Sequence, residues 1–137
     1  MIDPLETVIN WLKRDAILME MIGNRIGTKH VPAWKESTCL VVRPDGGKVD
    51  VEIPHQPITL DIRAYSDNQH NASLVWQRIV ELTRERAHKR IIVSTSNGDA
   101  ILYYFLQAGA MALLWDTDLS LDFAYGGFIA DVSETPL

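Results

Sequence analysis

The clearest pattern in the chain is a strand that leads directly into an amphipathic helix, over residues 58–86. From Ile58 to Tyr65 apolar and polar side chains alternate, which is the period of a strand with one buried face. Ser66 and Gln69 have the spacing of a capping box and predict the start of a helix. The apolar residues that follow share one stripe of this helix: Ala72, Val75, Trp76, Ile79 and Leu82. The strand and the stripe are therefore expected to form the centre of the core.

A second amphipathic helix is predicted near the N-terminus. Asp3 supplies an N-cap, Pro4 suits the first helical position, and Gly23-Asn24 ends the helix. The apolar positions between these signals recur at three- and four-residue steps: Leu5, Val8, Ile9, Leu12, Ala16, Met19 and Ile22. One continuous helix is expected.

Between the two helices the residues predict one strand and a projecting arm. The β-branched run Thr38–Arg43 is typical of a strand, and the turn residues Pro44-Asp45-Gly46-Gly47 follow it. The arm or loop is expected over about residues 44–57, because Pro54 and Pro57 cannot donate hydrogen bonds within a sheet.

The last part of the chain predicts a short strand and then a long antiparallel hairpin. Ile91–Val93 is the short strand, and Asn97-Gly98 lies at the centre of the turn after it. The C-terminal hairpin covers about residues 100–132. Its strands are Ile101–Leu114 and Leu119–Val132. Residues 100–115, the most apolar run, are interpreted as a buried strand, since a membrane-spanning helix needs ~20 such residues.

Small residues are expected opposite large ones in this hairpin. Gly109 on the first strand and Gly126-Gly127 on the second would allow a bend or bulge partway along. The pairing places Ala108, Ala110 and Ala112 opposite Leu121, Phe123 and Tyr125. A helix over Ala108–Trp115 is the alternative, because this segment contains good helix formers.

The order of these elements predicts a single α+β domain. A mainly antiparallel or mixed β-sheet is expected, with the two amphipathic helices packed on one face. A chain of 137 residues is long enough to bury a core of its own.

Composition is that of a globular protein, with 47% hydrophobic and 23% charged residues. The single cysteine, Cys39, rules out an internal disulfide framework and fits a reducing compartment. The opening residues lack the basic start and apolar run of a signal peptide. The chain is therefore expected to be soluble, without a membrane partner.

Charge is unevenly distributed along the chain, whose net charge is −5. All 13 Lys and Arg residues lie at or before Arg90. The residues after it carry only acidic charges: Asp99, Asp116, Asp118, Asp122, Asp131 and Glu134. Such asymmetry favours self-association between a basic and an acidic surface. An uneven scatter of solvated charges explains it equally well.

Candidate chemistry is sparse. The histidines stand at no metal-ligand spacing with one another or with Cys39, which is interpreted as a small buried hydrophobe. Asp116 and Asp118 are interpreted as turn residues rather than as a catalytic carboxylate pair. Trp34 is interpreted as part of a satellite core rather than as an exposed contact. No cofactor, no metal and no enzymatic activity are expected.

The succession of elements resembles a family of bacteriophage structural proteins. The features that carry the resemblance are the helix exit Ile22-Gly23-Asn24-Arg25-Ile26 and the unit in which the strand ITLDIRAYS runs into a helix with Ala72 near its start. Together with the closing hairpin, they are similar to the tail completion proteins of long-tailed phages, also called tail terminator or tail-to-head joining proteins. The resemblance extends over about residues 3–132.

This resemblance implies a structural virion protein of the phage tail, assembled in the cytoplasm of the host bacterium. Such proteins form a homo-oligomeric ring, commonly hexameric, at the head-proximal end of the tail tube. The ring ends polymerisation of the tail tube protein and presents a surface to the head–tail connector protein. DNA passes through its lumen without sequence-specific binding. A connector or stopper component of the same particle is the alternative, followed by an unrelated small binding module.

Contacts with neighbouring subunits or partners are expected on three surfaces. The arm contributes Lys48, Asp50, Glu52 and His55. The basic end of the second helix contributes Arg84, Arg86, Lys89 and Arg90. The acidic hairpin contributes Asp116, Asp118 and Asp122. A head-to-tail ring needs two different, complementary surfaces on each subunit, which the last two groups could supply.

Overall fold

The computed structural model describes residues 3–35, 37–44, 55–86 and 90–134. These residues form three α-helices and seven strands of one mixed, curled sheet in a single α+β domain, which confirms the predicted fold class. The helices are α1 (Pro4–Leu12), α2 (Ala16–Ile22) and α3 (Gln69–Arg86). The strands are β1 (Ile26–Gly27), β2 (Cys39–Pro44), β3 (His55–Ser66), β4 (Ile91–Thr95), β5 (Gly98–Gln107), β6 (Ala112–Asp116) and β7 (Leu121–Glu134).

Strand β7 lies at the centre of the sheet, whose order is β1-β2-β3-β7-β5-β4. Along one side β7 pairs with the whole length of β3. Along the other side it pairs first with β6 and then with β5. All these pairs are antiparallel, and only β1 with β2 is parallel among the described strands. The predicted C-terminal hairpin is therefore present, with β5 and β6 as its interrupted first strand.

The core lies between one face of the sheet and the helices. The predicted stripe of α3 is almost fully buried there, from Ala72 to Leu82. A row of four aromatic rings runs through this core. The ring centroids of Trp11 and Phe105 are 5.1 Å apart. Phe128 follows, with its centroid 4.9 Å from that of Phe105 and 4.9 Å from that of Trp76. Buried aromatic residues contribute large apolar areas, so these rings tie α1, β5, β7 and α3 together.

The N-terminal segment is two helices, and the prediction of one continuous helix was wrong. Asp15 caps α2 by accepting a hydrogen bond from the backbone N–H of Leu18 at 2.9 Å. Its carboxylate also accepts two hydrogen bonds from Arg78 of α3, at 2.7 and 2.8 Å. The break changes which residues are buried: Leu18 is in the core, whereas Ala16 is exposed. Gly23 ends α2 as predicted, in the left-handed conformation with φ of 58°.

The start of α3 also differs from the predicted capping box. Asn68 is the capping side chain, because its Oδ1 accepts a hydrogen bond at 2.8 Å from the N–H of Asn71. Ser66 is the last residue of β3 and lies 3.1 Å from the hydroxyl of Thr38. Ser66 remains in the sheet because it pairs with Asp122 of β7.

A smaller apolar cluster covers part of the opposite face of the sheet. It contains Cys39, Val41, Tyr65, Leu121 and Phe123, with Trp34 packed against it. Trp34 therefore belongs to a satellite core, as predicted. Cys39 is fully buried, and burial raises the pKa of its thiol to about 12, although Arg25 opposes the shift. The predicted burial of Cys39 as a small hydrophobic side chain is confirmed.

Only part of the predicted arm lies within the described residues. Pro44 ends β2 and His55 begins β3, so the flanks of the arm are strands. Pro57 pairs with Asp131 within β3, contrary to the prediction. A proline lacks the N–H that a central strand needs, but this part of β3 has only one described neighbour, β7. The pairing with β2 ends where Pro44 lies opposite Leu60. Residues 45–54 lie outside the described part of the chain.

The hairpin has a different register from the predicted one over most of its length. Ala112 does lie opposite one of the three large residues, Tyr125. However, Leu121 pairs with Asp116 and Phe123 pairs with Leu114, so the predicted partners of these two residues were wrong. The interruption around Gly109 absorbs the difference, and β6 excludes the alternative helix over Ala108–Trp115. The turn between β4 and β5 also differs from the prediction. Thr95 pairs with Gly98, so the two central residues of the turn are Ser96 and Asn97 rather than Asn97 and Gly98.

Candidate interaction surface

The most apolar run of the chain divides into a buried half and an exposed half. Ala100, Leu102 and Phe105 of β5 lie in the core. In β6 the exposed fractions of three consecutive large side chains are 40% for Leu113, 46% for Leu114 and 55% for Trp115. The expectation of a buried strand was therefore wrong for β6. Among the described strands β6 pairs with β7 alone, so its outer side has no neighbouring strand to cover it.

The β6 edge, defined as Ala112–Asp116, carries apolar groups on both faces. Trp115 lies opposite Asp122, and Leu113 lies opposite Ala124, which is part of the main core. Leu114 lies opposite Phe123, which belongs to the satellite cluster. Successive side chains of a strand point to opposite faces, so Leu113 and Trp115 share the face that bears the helices. A partner strand here would meet an apolar surface above and below it.

The outer edge of β4, in contrast, is capped from within the chain. The side-chain amide of Asn10 donates a hydrogen bond to the carbonyl of Ser94 at 3.0 Å. Arg14 donates to the carbonyl of Ile92 at 2.6 Å. Both donors belong to the N-terminal helical segment, and they occupy carbonyls that another strand would otherwise use. Proteins commonly protect edge strands in this way, so the bare β6 edge differs from the capped β4 edge.

The turn after β6 holds the predicted acidic residues. The carboxylate of Asp116 accepts hydrogen bonds from the N–H of Asp118 at 2.9 Å and of Leu119 at 3.0 Å. This is the geometry of an Asx turn, so Asp116 shapes the loop as predicted. Asp118 is exposed and Asp122 is half-buried. The three carboxylates place negative charge at one end of the β6 edge.

The predicted basic surface lies at the other end of α3. The start of α3 lies beside the acidic turn, because the helix follows Ser66 and Ser66 pairs with Asp122. Arg84 is exposed near the other end of the helix. At 1.5 Å per residue, Gln69 and Arg84 are about 22 Å apart along the helix axis. Arg90 lies with its guanidinium carbon 5.5 Å from the ring centroid of Tyr103. The structure thus separates the basic and acidic groups instead of bringing them together.

The remaining predicted contact residues have no described side chains. Arg86 is the last residue of α3, and His55 is the first residue of β3. Lys48, Asp50, Glu52 and Lys89 lie outside the described part of the chain.

One open groove lies beside the acidic turn and was not foreseen from the sequence. Its volume is about 940 Å³, and its lining includes Arg25, His30, Lys35, Asp67 and Asp118. The His30 ring packs edge-on against Trp34 and Tyr65. Cations and carboxylates are mixed in this groove, so it has no uniform charge to select an anion or a cation. Its residues come from separate segments of the chain, and no sequence motif joins them.

No metal-binding arrangement is found within the described ranges: no three His, Cys, Asp or Glu side chains converge there as ligands would. None of the described helices has the length and apolar character needed to cross a membrane. No protein-family model matches the chain, and a search of curated proteins found no match.

Proposed function

We propose that this protein is a structural assembly protein of a bacteriophage tail, which forms a ring at the head-proximal end of the tail tube. The proposal joins the resemblance in element order to one structural observation, the bare β6 edge. Three consecutive large apolar residues on an unprotected strand are characteristic of a surface that another protein chain covers. A protein whose role is to bind copies of itself and a tube would carry such a surface.

The distribution of charge supports a head-to-tail ring. The acidic turn around Asp118 and the basic residue Arg84 lie towards opposite ends of α3, so each subunit has unlike ends to offer its neighbours. Contacts between unlike surfaces generate closed rings when the rotation between subunits closes. Acidic side chains facing the lumen would not retain DNA, because proteins hold the phosphate backbone through basic residues.

The test is assembly of tail tubes in the presence of the purified protein. Tail tube protein alone should polymerise into tubes of variable length, and the protein should form rings on one end of them and stop their growth. Electron microscopy and the distribution of tube lengths are the measurements. Tubes with unchanged lengths and bare ends would refute the proposal, and copurification with empty heads instead of tails would favour a connector component.

The contribution of the β6 edge to this activity has a matched control. Trp115→Ser removes the most exposed of its apolar side chains, and Ile17→Ser removes one that is equally exposed, at 53%, on α2. We expect Trp115→Ser to lose tube binding and Ile17→Ser to retain it. Equal behaviour of the two variants would show that the tube and ring contacts lie elsewhere.

A further inference from the structure

The residues of β6 form a self-complementary strand. Its sequence places Leu113 and Trp115 symmetrically about Leu114, and all three side chains are exposed. We propose that the β6 edge pairs with the β6 edge of a second copy of the chain, antiparallel and with Leu114 opposite its own counterpart. The two sheets would then join into one continuous antiparallel sheet across a two-fold axis.

This register matches the side chains on both faces. Leu113 of each copy lies opposite Trp115 of the other, on the face that bears the helices. The Leu114 side chains meet each other on the opposite face. Directly opposite residues in antiparallel strands have Cβ atoms about 4.5–5.5 Å apart, so each of these apolar pairs is in contact.

The same register keeps the negative charges apart. Asp116 lies opposite Ala112 of the other copy, so the two Asp116 side chains fall at opposite ends of the paired strands. Four residues of strand correspond to about 13 Å, which exceeds the Debye length of ~8–10 Å at ordinary ionic strength. The contact is therefore free of close repulsion, even though each chain carries a net charge of −5.

A second copy fits this edge better than an unrelated strand does. A strand that pairs with this edge must have apolar side chains on both faces and no charged residue opposite Leu113–Trp115. The sequence of β6 itself meets both conditions. Strand β4 also begins with apolar residues, but Asn10 and Arg14 already occupy its outward carbonyls. The edge of β6 therefore combines exposed apolar side chains on both faces with outward backbone groups that no described side chain caps.

Because five residues on each side form a small contact, the pair should be weak and reversible rather than permanent.

The pairing does not depend on the proposed function. In a ring whose subunits all face the same way, a two-fold pair cannot persist, so this pair would be the form of the free protein and would open as the ring forms.

Charge complementation at Leu114 tests the pairing, because two-fold symmetry places this position opposite itself. Analytical ultracentrifugation of the unmodified protein should show a monomer–dimer equilibrium. Leu114→Lys and Leu114→Glu should each be monomeric, since like charges then meet at the centre of the contact. A one-to-one mixture of the two variants should dimerise again. A monomeric unmodified protein at its highest soluble concentration, or a mixture that stays monomeric, would overturn the proposal.

Disulfide cross-linking gives a second, independent measurement. Leu114→Cys should form a covalent dimer under mild oxidation, because a cysteine opposite its counterpart is within reach of a disulfide. Ile17→Cys, on an equally exposed surface away from the edge, is the control, and buried Cys39 does not compete. Equal cross-linking of both variants contradicts the two-fold contact. Tube capping enters neither measurement, so failure of the proposed function and failure of this pairing are distinguishable.

Discussion

Two adjacent glycines of β7 allow a direct test of how the core is packed. A Cβ atom added to Gly126 would lie 2.7 Å from Cη2 and 2.9 Å from Cζ2 of the Trp76 ring, and 3.3 Å from the carbonyl oxygen of Ala110. A Cβ atom added to Gly127 would lie 3.7 Å from Cβ of Ala108, an ordinary contact. The ring of Trp76 is buried against Phe128 and cannot move aside without disturbing the core.

The expected difference follows from two opposing effects. Replacing a strand glycine by alanine restricts the unfolded chain and stabilises by about 0.5–1 kcal/mol when the site has room. Overpacking a filled core costs about 1–3 kcal/mol. Gly127→Ala should leave the free energy of unfolding unchanged or raise it slightly. The free energy of unfolding of Gly126→Ala should be lower than that of Gly127→Ala by about 1–3 kcal/mol. The backbone effect is common to both variants and cancels in this comparison.

Thermal unfolding provides the assay. An unfolding entropy of ~2.1 cal/mol/K per residue over 137 residues makes 1 kcal/mol equal to about 3.5 °C, so the melting temperatures should differ by about 3–10 °C. Trp76→Phe removes the two crowding ring atoms and should make Gly126→Ala far less costly in that background. Equal melting temperatures for the two alanine variants, with no coupling to Trp76, would refute the position of the ring over Gly126.

Four further perturbations test other parts of the structure, each by chemical denaturation. Trp76→Ala should cost about 3–5 kcal/mol, the range for losing a large buried aromatic side chain. Asp15→Asn keeps a capping oxygen for α2 but removes the charge that accepts two hydrogen bonds from Arg78. Arg78 keeps its ion pairs with the exposed Glu81 and Glu85, so the expected loss is about 1.5–3 kcal/mol, the range for hydrogen bonds to charged groups. Asp15→Ala also removes the cap and should lose ~1 kcal/mol more. Asn68→Ala should cost ~1 kcal/mol through loss of the α3 cap, and an unchanged midpoint would contradict that role. Burial raises the pKa of Cys39 from 9.0 to about 12, so above pH 9.0 ionisation of the thiol favours the unfolded chain and stability should fall by up to ~1.4 kcal/mol per pH unit; Cys39→Ala should lack this slope.

Patterns that depend on a few neighbouring residues could be interpreted without the structure. The alternation of β3 and the buried stripe of α3 both follow from side-chain periodicity, and Asp3 caps α1 by accepting a hydrogen bond from the N–H of Leu5 at 2.9 Å. Predictions at segment boundaries were less accurate. Ser66 and Asn68 both satisfy local capping rules, and only the pairing of Ser66 with Asp122 keeps the former in the sheet.

Partners that are distant in sequence account for the largest corrections. The predicted single helix is interrupted before Asp15, whose carboxylate caps α2 and is also bound by Arg78, 63 residues further along the chain. A continuous helical pattern of apolar residues contains no information about that partner. The register of the hairpin likewise depends on how many residues the interruption around Gly109 absorbs, which alternation alone does not specify.

The sequence by itself determined the α+β class, the strand–helix unit at the centre of the core, the closing hairpin and the burial of Cys39. Each of these depends on periodicity, turn chemistry or composition, which act locally. Only the tertiary structure decided which part of the apolar run 100–115 is buried. Leu102 and Leu114 are equally apolar, but β5 lies beneath the helices while β6 borders a side without a described neighbour. Burial depends on what packs against a residue, so the exposed β6 edge became visible only in the fold.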